Sequence, residues 1–154
     1  DDAGAPILDG SGNYTFTNSV AEGNSGKYMA LAFAPGETTF NPTTQLTNQT
    51  GDVTINFTAG SATGGGTDFD STQQTSVSLG TEISTATVDD YFSDNNENFT
   101  VSIAAASYAP ATGGYENVDV STASVTTTIT DDSGTPNTVM SSRCRSWLRG
   151  HVES

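Results

Sequence analysis

The stretch DVTINFT (residues 52–58) alternates strictly between apolar and polar side chains. Val53, Ile55 and Phe57 take every second position, and the residues between them are threonine or asparagine. Because successive side chains of a β-strand point to opposite faces, this period predicts a strand with one buried face. It also argues against a disordered chain, which has no reason to keep its apolar residues in phase.

The same period recurs on both sides of this stretch, and we find no helical period of consequence. The other segments are NYTFTNSV (13–20), KYMALAF (27–33), TSVSLG (75–80), TEISTATV (81–88), NFTVSIAA (98–105), ENVDV (116–120) and SVTTTIT (124–130). Clusters of Gly, Pro, Asn and Asp separate them and supply turn residues. About seven to eight short strands of this kind predict an all-β fold, an antiparallel immunoglobulin-like β-sandwich with extended loops.

The length and composition predict one domain followed by a foreign segment. A chain of 154 residues builds one hydrophobic core and is hardly long enough for two. We expect the sandwich domain to span 1–137. Composition changes in 138–154, which holds three of the 4 basic residues and the sole Cys, Trp and His. We expect this segment to be a foreign or disordered tail, and a natural basic appendage that docks on the acidic domain is the alternative.

The charge balance excludes several classes of partner. The chain carries 18 acidic residues against 4 Lys and Arg, which gives a net charge of −14. Nucleic acid is not expected as a partner because phosphate binding needs basic stripes. Membrane insertion is not expected, since no apolar run approaches the roughly 20 residues that span a bilayer. An enzyme is not expected either, because no nucleophile with its base and no zinc-binding His pair can be assembled.

The stretch VDDYFSDNNENF (88–99) concentrates negative charge. Asp89, Asp90, Asp94 and Glu97 lie within it, with no basic residue nearby. Two carboxylates about 4 Å apart repel by roughly 4 kcal/mol at an effective dielectric near 20. The remedies are solvation of splayed side chains, protonation with large pKa shifts, or a bound cation. Ca²⁺ fits best, because it takes about six to eight oxygen ligands in flexible arrangements.

Two familiar calcium motifs are absent from the sequence. Counted from Asp90, an EF-hand would need glycine at the sixth position and glutamate at the twelfth, where Val101 stands. The stretch GGGTDFD (64–70) occurs once, so it builds no calcium-binding β-helix. We expect its glycines to let a loop bend tightly around the acidic residues.

Between about residues 13 and 133 the chain resembles Calx-β domains, which are calcium-binding β-sandwiches. The resemblance is carried by VAEGNSG (20–26), GTDF (66–69), VDDYFSDNNENF and TITDDSG (128–134). In the family these positions gather at one end of the sandwich and bind Ca²⁺. The ligands that the resemblance implies are Glu22, Asp68, Asp89, Asp90, Asp94, Glu97, Asp131 and Asp132. Departures at Asp94, where the family often has Glu, and at Ser133 leave the number of ions open.

The stretches GKYMALAF, ATGGGTDF and ATGGYENV are similar to calcium-dependent peptide-binding domains of large bacterial RTX adhesins. The resemblance implies a monomeric adhesion module on the bacterial cell surface, exported by type I secretion and active in biofilms. A peptide or protein C-terminus on a host or neighbouring cell would complete the Ca²⁺ shell with its carboxylate. The implied ligand-binding residues, which we expect to lie in two loops beside the same ion, are Gly64, Gly65, Gly66, Tyr108, Gly113, Gly114 and Tyr115. A calcium-rigidified spacer domain and a calcium-dependent sugar-binding module remain the alternatives.

Overall fold

The computed structural model describes residues 7–8, 14–15, 18–33, 49–90, 96–116, 118–121 and 123–131, and every regular element within these ranges is a β-strand. The strands are β1 (Ile7–Leu8), β2 (Tyr14–Thr15), β3 (Ser19–Ala21), β4 (Ser25–Met29), β5 (Asp52–Ala59), β6 (Gln74–Ser78), β7 (Glu82–Ala86), β8 (Glu97–Ile103) and β9 (Ser124–Thr130). No helix in this part of the chain is long and apolar enough to cross a bilayer.

Seven of the strands form two sheets that face each other. One sheet has five strands in the order β3-β9-β8-β5-β6, and the other pairs β4 with β7. Tyr28 on β4 meets the rings of Phe57 and Phe99 edge-on, with centroids 6.2 and 6.5 Å away. The β-sandwich prediction is therefore confirmed. One pair departs from the antiparallel arrangement, because β3 runs parallel to β9.

The core follows the alternation of the sequence. Val53, Ile55 and Phe57 of β5 are buried, as predicted, and so are Phe99 and Val101 of β8. Phe69, in the loop after β5, is also fully buried in the core. Its ring is stacked on that of Phe99, with 4.3 Å between the two ring centroids. One loop is thus anchored in the core as firmly as the strands are.

Two predicted strands are shorter or missing. In KYMALAF the strand ends at Met29, because Met29 is paired with Glu82, the first residue of β7. Beyond that point Phe33 is 41% exposed. In ENVDV, residues 118–120 form no strand; Asp119 instead accepts a hydrogen bond from the backbone N–H of Ser121 and makes a local turn.

Some predictions fall on parts of the chain that lie outside the described residues. These are the ligands Asp94 and Asp132, and the tail 138–154 with the domain boundary before it.

Candidate metal site at the acidic end

The strand register brings distant segments to one end of the sandwich. β5 and β9 both run antiparallel to β8, and β3 runs parallel to β9. The ends of β3, β5 and β9 therefore lie beside the start of β8, together with the loops that follow them. We call this the acidic end. The predicted ligands found there are Glu22, Asp68, Asp89, Asp90, Glu97 and Asp131.

Glu22 and Asp131 follow paired positions on neighbouring strands. Ala21 of β3 is paired with Thr130 of β9, and the N–H of Glu22 donates to the carbonyl of Thr130 at 2.9 Å. Oδ1 of Asp131 is buried and accepts no hydrogen bond from the described residues, although Asp131 interacts with other groups. The parallel pairing thus holds these two acidic positions side by side.

Glu97 joins them from the opposite direction. It begins β8 and is paired with residue 129 of β9, two positions before Asp131. The N–H of Asn96 donates to the carbonyl of Ile129 at 3.1 Å and fixes the entry into the strand. Glu97 therefore stands where β9 ends.

Asp68 is placed by the residue that follows it. Phe69 is buried in the core and forms a β-bridge with Thr87. Beside this bridge the N–H of Val88 donates to the carbonyl of Asp68 at 2.9 Å, while Oδ2 of Asp68 accepts a hydrogen bond from the N–H of residue 63. Asp68 is consequently next to the segment that continues into Asp89.

Asp89 lies over the turn that carries Glu22. A Cβ atom added at Gly23 would be 3.1 Å from the Cβ of Asp89, and Gly23 adopts a φ of +72°. Only a glycine fits both the left-handed backbone and the close approach. Asp89 and Glu22 are thereby held on adjacent turns.

The described residues bring no positive charge to this end. Within the described ranges Lys27 is the only lysine or arginine, and its Nζ lies 3.7 Å from Glu82 Oε1. Glu82 begins β7 opposite Met29, at the far end of the sandwich. Repulsion at the acidic end is therefore not relieved by any lysine or arginine of the described chain.

The donor set fits a hard cation. Carboxylate and backbone carbonyl oxygens are the ligands that Ca²⁺ takes, and the described residues include no His or Cys for zinc or copper. The described residues do not by themselves form a complete site, because no three of their acidic, His or Cys side chains lie close enough together to hold an ion. Two predicted ligands, Asp94 and Asp132, lie outside those residues.

The glycine loop predicted to bind a ligand also lies at the acidic end. Gly64 sits against Ser71, and the N–H of Gly65 donates to Ser71 Oγ at 2.9 Å. Gly65 and Gly66 have φ values of +77° and +84°, and a Cβ at either would meet nothing within 4 Å. Their outer surface is open to an approaching group.

The second predicted ligand loop lies at the opposite end, which corrects the expectation that both loops border one ion. Tyr108 donates a hydrogen bond to the carbonyl of Thr50, and Ala109 is bridged to Asp52, the first residue of β5. At about 3.3 Å per residue, β5 separates this bridge from the acidic end by roughly 23 Å. The loop after β8 must emerge opposite the loop before it, and the predicted residues there are Tyr108, Gly113, Gly114 and Tyr115.

The two tyrosines of that loop cover the core. Their ring centroids are 6.4 Å apart, and Tyr108 Oη accepts a hydrogen bond from the N–H of Tyr115 at 3.0 Å. Both pack against the buried cluster. Their observed role is to close the end of the sandwich.

Sequence reasoning missed Thr85 and Thr87, which are both buried. Oγ1 of Thr85 donates to the carbonyl of Asp70, and Oγ1 of Thr87 lies within hydrogen-bond distance of two carbonyls of the 21–24 turn. A signal was available, because the alternation in TEISTATV puts both on the same face as Ile83. Buried polar side chains need partners, which marks such positions for attention.

No protein-family model and no curated protein matches the chain. Among solved structures it is similar to the crystal structure of CBD12 from CALX1.2, a Calx-β structure, at 16% sequence identity and a TM-score of 0.49. The match covers 75% of this chain and 42% of that one, so the chain spans less than half the length of the structure it resembles. The likeness concerns the fold.

Proposed function

We propose that this domain is a calcium-binding β-sandwich module that holds Ca²⁺ at its acidic end. The observation that carries the proposal is the strand register together with the close approach of Asp89 to Gly23, which sets Glu22, Asp89 and Asp131 on adjoining segments. The Calx-β resemblance of the sequence supports it independently.

The chain's own residues supply hard donors and a rigid frame. When bound, the ion would offset carboxylate repulsion of roughly 4 kcal/mol for each pair about 4 Å apart at an effective dielectric near 20. At 100 times the dissociation constant, one site adds roughly 2.7 kcal/mol to the free energy of unfolding. Since Asp68 is next to the buried Phe69, that stabilisation would reach the core directly.

Calorimetric titration of Ca²⁺ into EDTA-treated protein tests the proposal. We expect saturable binding that weakens at least tenfold in Asp89→Asn and Glu97→Gln. Asp119→Asn is the matched control, because Asp119 is an exposed aspartate near the opposite end of the sandwich. Absence of binding, or equal losses in all three variants, would contradict a site at the acidic end.

For the larger role we propose a non-catalytic adhesion module of an extracellular bacterial surface protein. The carboxylate of a peptide or protein C-terminus on a host or neighbouring cell would fill an open position on the ion. The open space beside Gly65 and Gly66 at the acidic end supports this proposal, because it leaves room for a ligand to approach. Tyr108 and Tyr115 have no part in this contact, since they lie at the other end.

Peptide binding is tested by titrating free-acid C-terminal peptides, each beside its amidated form, into calcium-loaded protein. We expect the free acids to bind and the amides to fail. Equal binding of the two forms, or none, would sink the carboxylate contact. Calcium binding without any peptide binding would point to a spacer, and binding on a glycan array to a sugar-binding module.

A further inference from the structure

Thr87 donates hydrogen bonds to the turn that carries Glu22 from its N–H and from its hydroxyl, whose one hydrogen lies between two carbonyl oxygens. Its N–H donates to the carbonyl of Asn24 at 2.8 Å, and its Oγ1 lies 2.9 Å from the same oxygen and 3.1 Å from the carbonyl of Ala21. The residue is 6% exposed. The carbonyls of Ala21 and Asn24 lie before and after Glu22 in the chain, so Thr87 contacts the turn on both sides of that acidic residue.

Thr87 also holds the loop that carries Asp68. It is bridged to Phe69, and on either side of this bridge the N–H of Asp70 donates to Ala86 and the N–H of Val88 donates to Asp68, each at 2.9 Å. Phe69 in turn is stacked on the core ring of Phe99. The backbone around Thr87 is therefore paired with the Asp68 loop, while its hydroxyl contacts the 21–24 turn, two residues before Asp89.

We propose that Thr87 is a positioning residue of the acidic end: its hydroxyl fixes the turn that carries Glu22 relative to the segment that leads to Asp89. The inference rests on the proposed calcium site. Ligands work when they are held within about 0.5 Å of the productive geometry, and loss of a supporting hydrogen bond typically costs about 10–100-fold in metal affinity.

Thr127 offers a comparison within the same core. It is also buried, and its hydroxyl is bonded to Tyr28 Oη at 2.9 Å. Neither group belongs to an acidic loop, so Thr127 supports the core without arranging the predicted ligands. A purely structural role for Thr87 predicts that the two threonines behave alike, whereas positioning predicts that they differ.

The test uses Thr87→Val, Thr87→Ser and Thr127→Val, with calcium affinity by calorimetry and amide hydrogen exchange in EDTA. Thr87→Val keeps the shape without the hydroxyl; we expect roughly tenfold weaker calcium binding and faster exchange at Glu22 and Asn24 in the metal-free protein. Thr87→Ser restores the donor and should recover both. Thr127→Val should lower the melting temperature with calcium affinity unchanged.

Failure of the inference and failure of the calcium site give different results. If wild type binds calcium and Thr87→Val binds it equally well, with unchanged exchange in the 22–24 turn, positioning by Thr87 is wrong and the site stands. If wild type binds no calcium, the proposed site is wrong. Amide exchange in the 22–24 turn then decides by itself whether the Thr87 hydroxyl positions that turn. If Thr127→Val or Thr87→Ser weakens binding as much as Thr87→Val does, positioning by the hydroxyl is overturned.

Discussion

Tyr28 and Thr127 form a polar link between the two sheets inside the core. Their hydroxyls lie 2.9 Å apart, and the pKa of Tyr28 is raised by burial, with the hydrogen bond from Thr127 partly opposing that rise. A Cβ at Gly26 would come 2.5 Å from Tyr28 Oη, so the glycine makes room for the ring. This pair ties β4 to β9 across the sandwich.

Tyr28→Phe should lower the free energy of unfolding by about 1–2 kcal/mol, because a buried hydroxyl on Thr127 loses its partner. In the double variant Tyr28→Phe/Thr127→Val both polar groups are gone, and the total loss should be smaller than the sum of the single losses. Urea unfolding of the four proteins measures this. Strictly additive losses would mean that the hydroxyls do not stabilise each other.

Asp70 shows how a loop carboxylate keeps its charge. Its pKa is lowered from the usual 3.8, first by the Thr72 hydroxyl and then by the Thr72 N–H, both of which donate to it. A pKa lowered in the folded state means that the stabilisation is complete above the unfolded pKa and is lost as the pH falls through the folded value.

We therefore expect NMR titration to place the Asp70 midpoint below 3.8 and Thr72→Val to raise it toward 3.8. Asp119 is the internal control, since its pKa is lowered by the backbone and side chain of Ser121 and should not respond to the change at residue 72. A midpoint for Asp70 that does not move would assign the shift to another group.

At the scale of elements, the tight turn between β3 and β4 brings Glu22 close to Asp89. Gly23 is the position where this closeness is most constrained, because its φ is +72° and Asp89 Cβ lies next to it. Gly65 has a similar φ of +77° with nothing within 4 Å. Substitution at Gly65 therefore introduces backbone strain alone, whereas substitution at Gly23 also crowds the predicted ligand Asp89.

Gly23→Ala and Gly65→Ala should each cost about 1–2 kcal/mol of stability, since an L side chain is strained at such φ values. Only Gly23→Ala should also weaken calcium binding, because its methyl group pushes on Asp89. Thermal unfolding in EDTA and calorimetry in calcium measure the two effects. Equal calcium affinities in the two variants would remove Asp89 from the site.

The loop after β8 closes the end opposite the proposed metal site. Tyr108 supplies the hydroxyl that joins Thr50 to Tyr115 there. Tyr108→Phe should lower the free energy of unfolding by about 1–2 kcal/mol, because it removes two hydrogen bonds that each typically contribute about 1 kcal/mol. Calcium affinity, measured on the same sample by calorimetry, should match wild type. A coupled loss of affinity would contradict the placement of this loop far from the ion.

At the scale of the whole molecule, the proposed metal site lies beside the hydrophobic core. Phe69 is buried in the core, and acidic residues precede and follow it along the chain. A net charge of −14 opposes compaction, so a cation bound beside this loop would favour the folded state both locally and globally. If Ca²⁺ binds as proposed, its removal should therefore lower the free energy of unfolding.

Much of this architecture could be predicted from alternation. The spacing of Val53, Ile55 and Phe57 predicts both a strand and its buried face. The acidic motifs lie between the alternating segments, which places them at the ends of strands. The sequence does not show which loops lie at the same end of the sandwich, since that depends on strand order and register. Tyr108 was therefore expected beside the acidic residues, whereas it lies at the opposite end. Burial of Thr87 escaped notice because threonine suits either face of a strand.

The central claim is that Ca²⁺ binds where β3, β5 and β9 end and β8 begins. A crystal structure of protein grown in calcium chloride, with the anomalous signal of calcium recorded, tests it most directly. We predict a peak bonded to carboxylate oxygens of Glu22, Asp89 or Asp131 at about 2.3–2.6 Å. Density at the acidic end that carries no anomalous signal and fits water alone would contradict the claim.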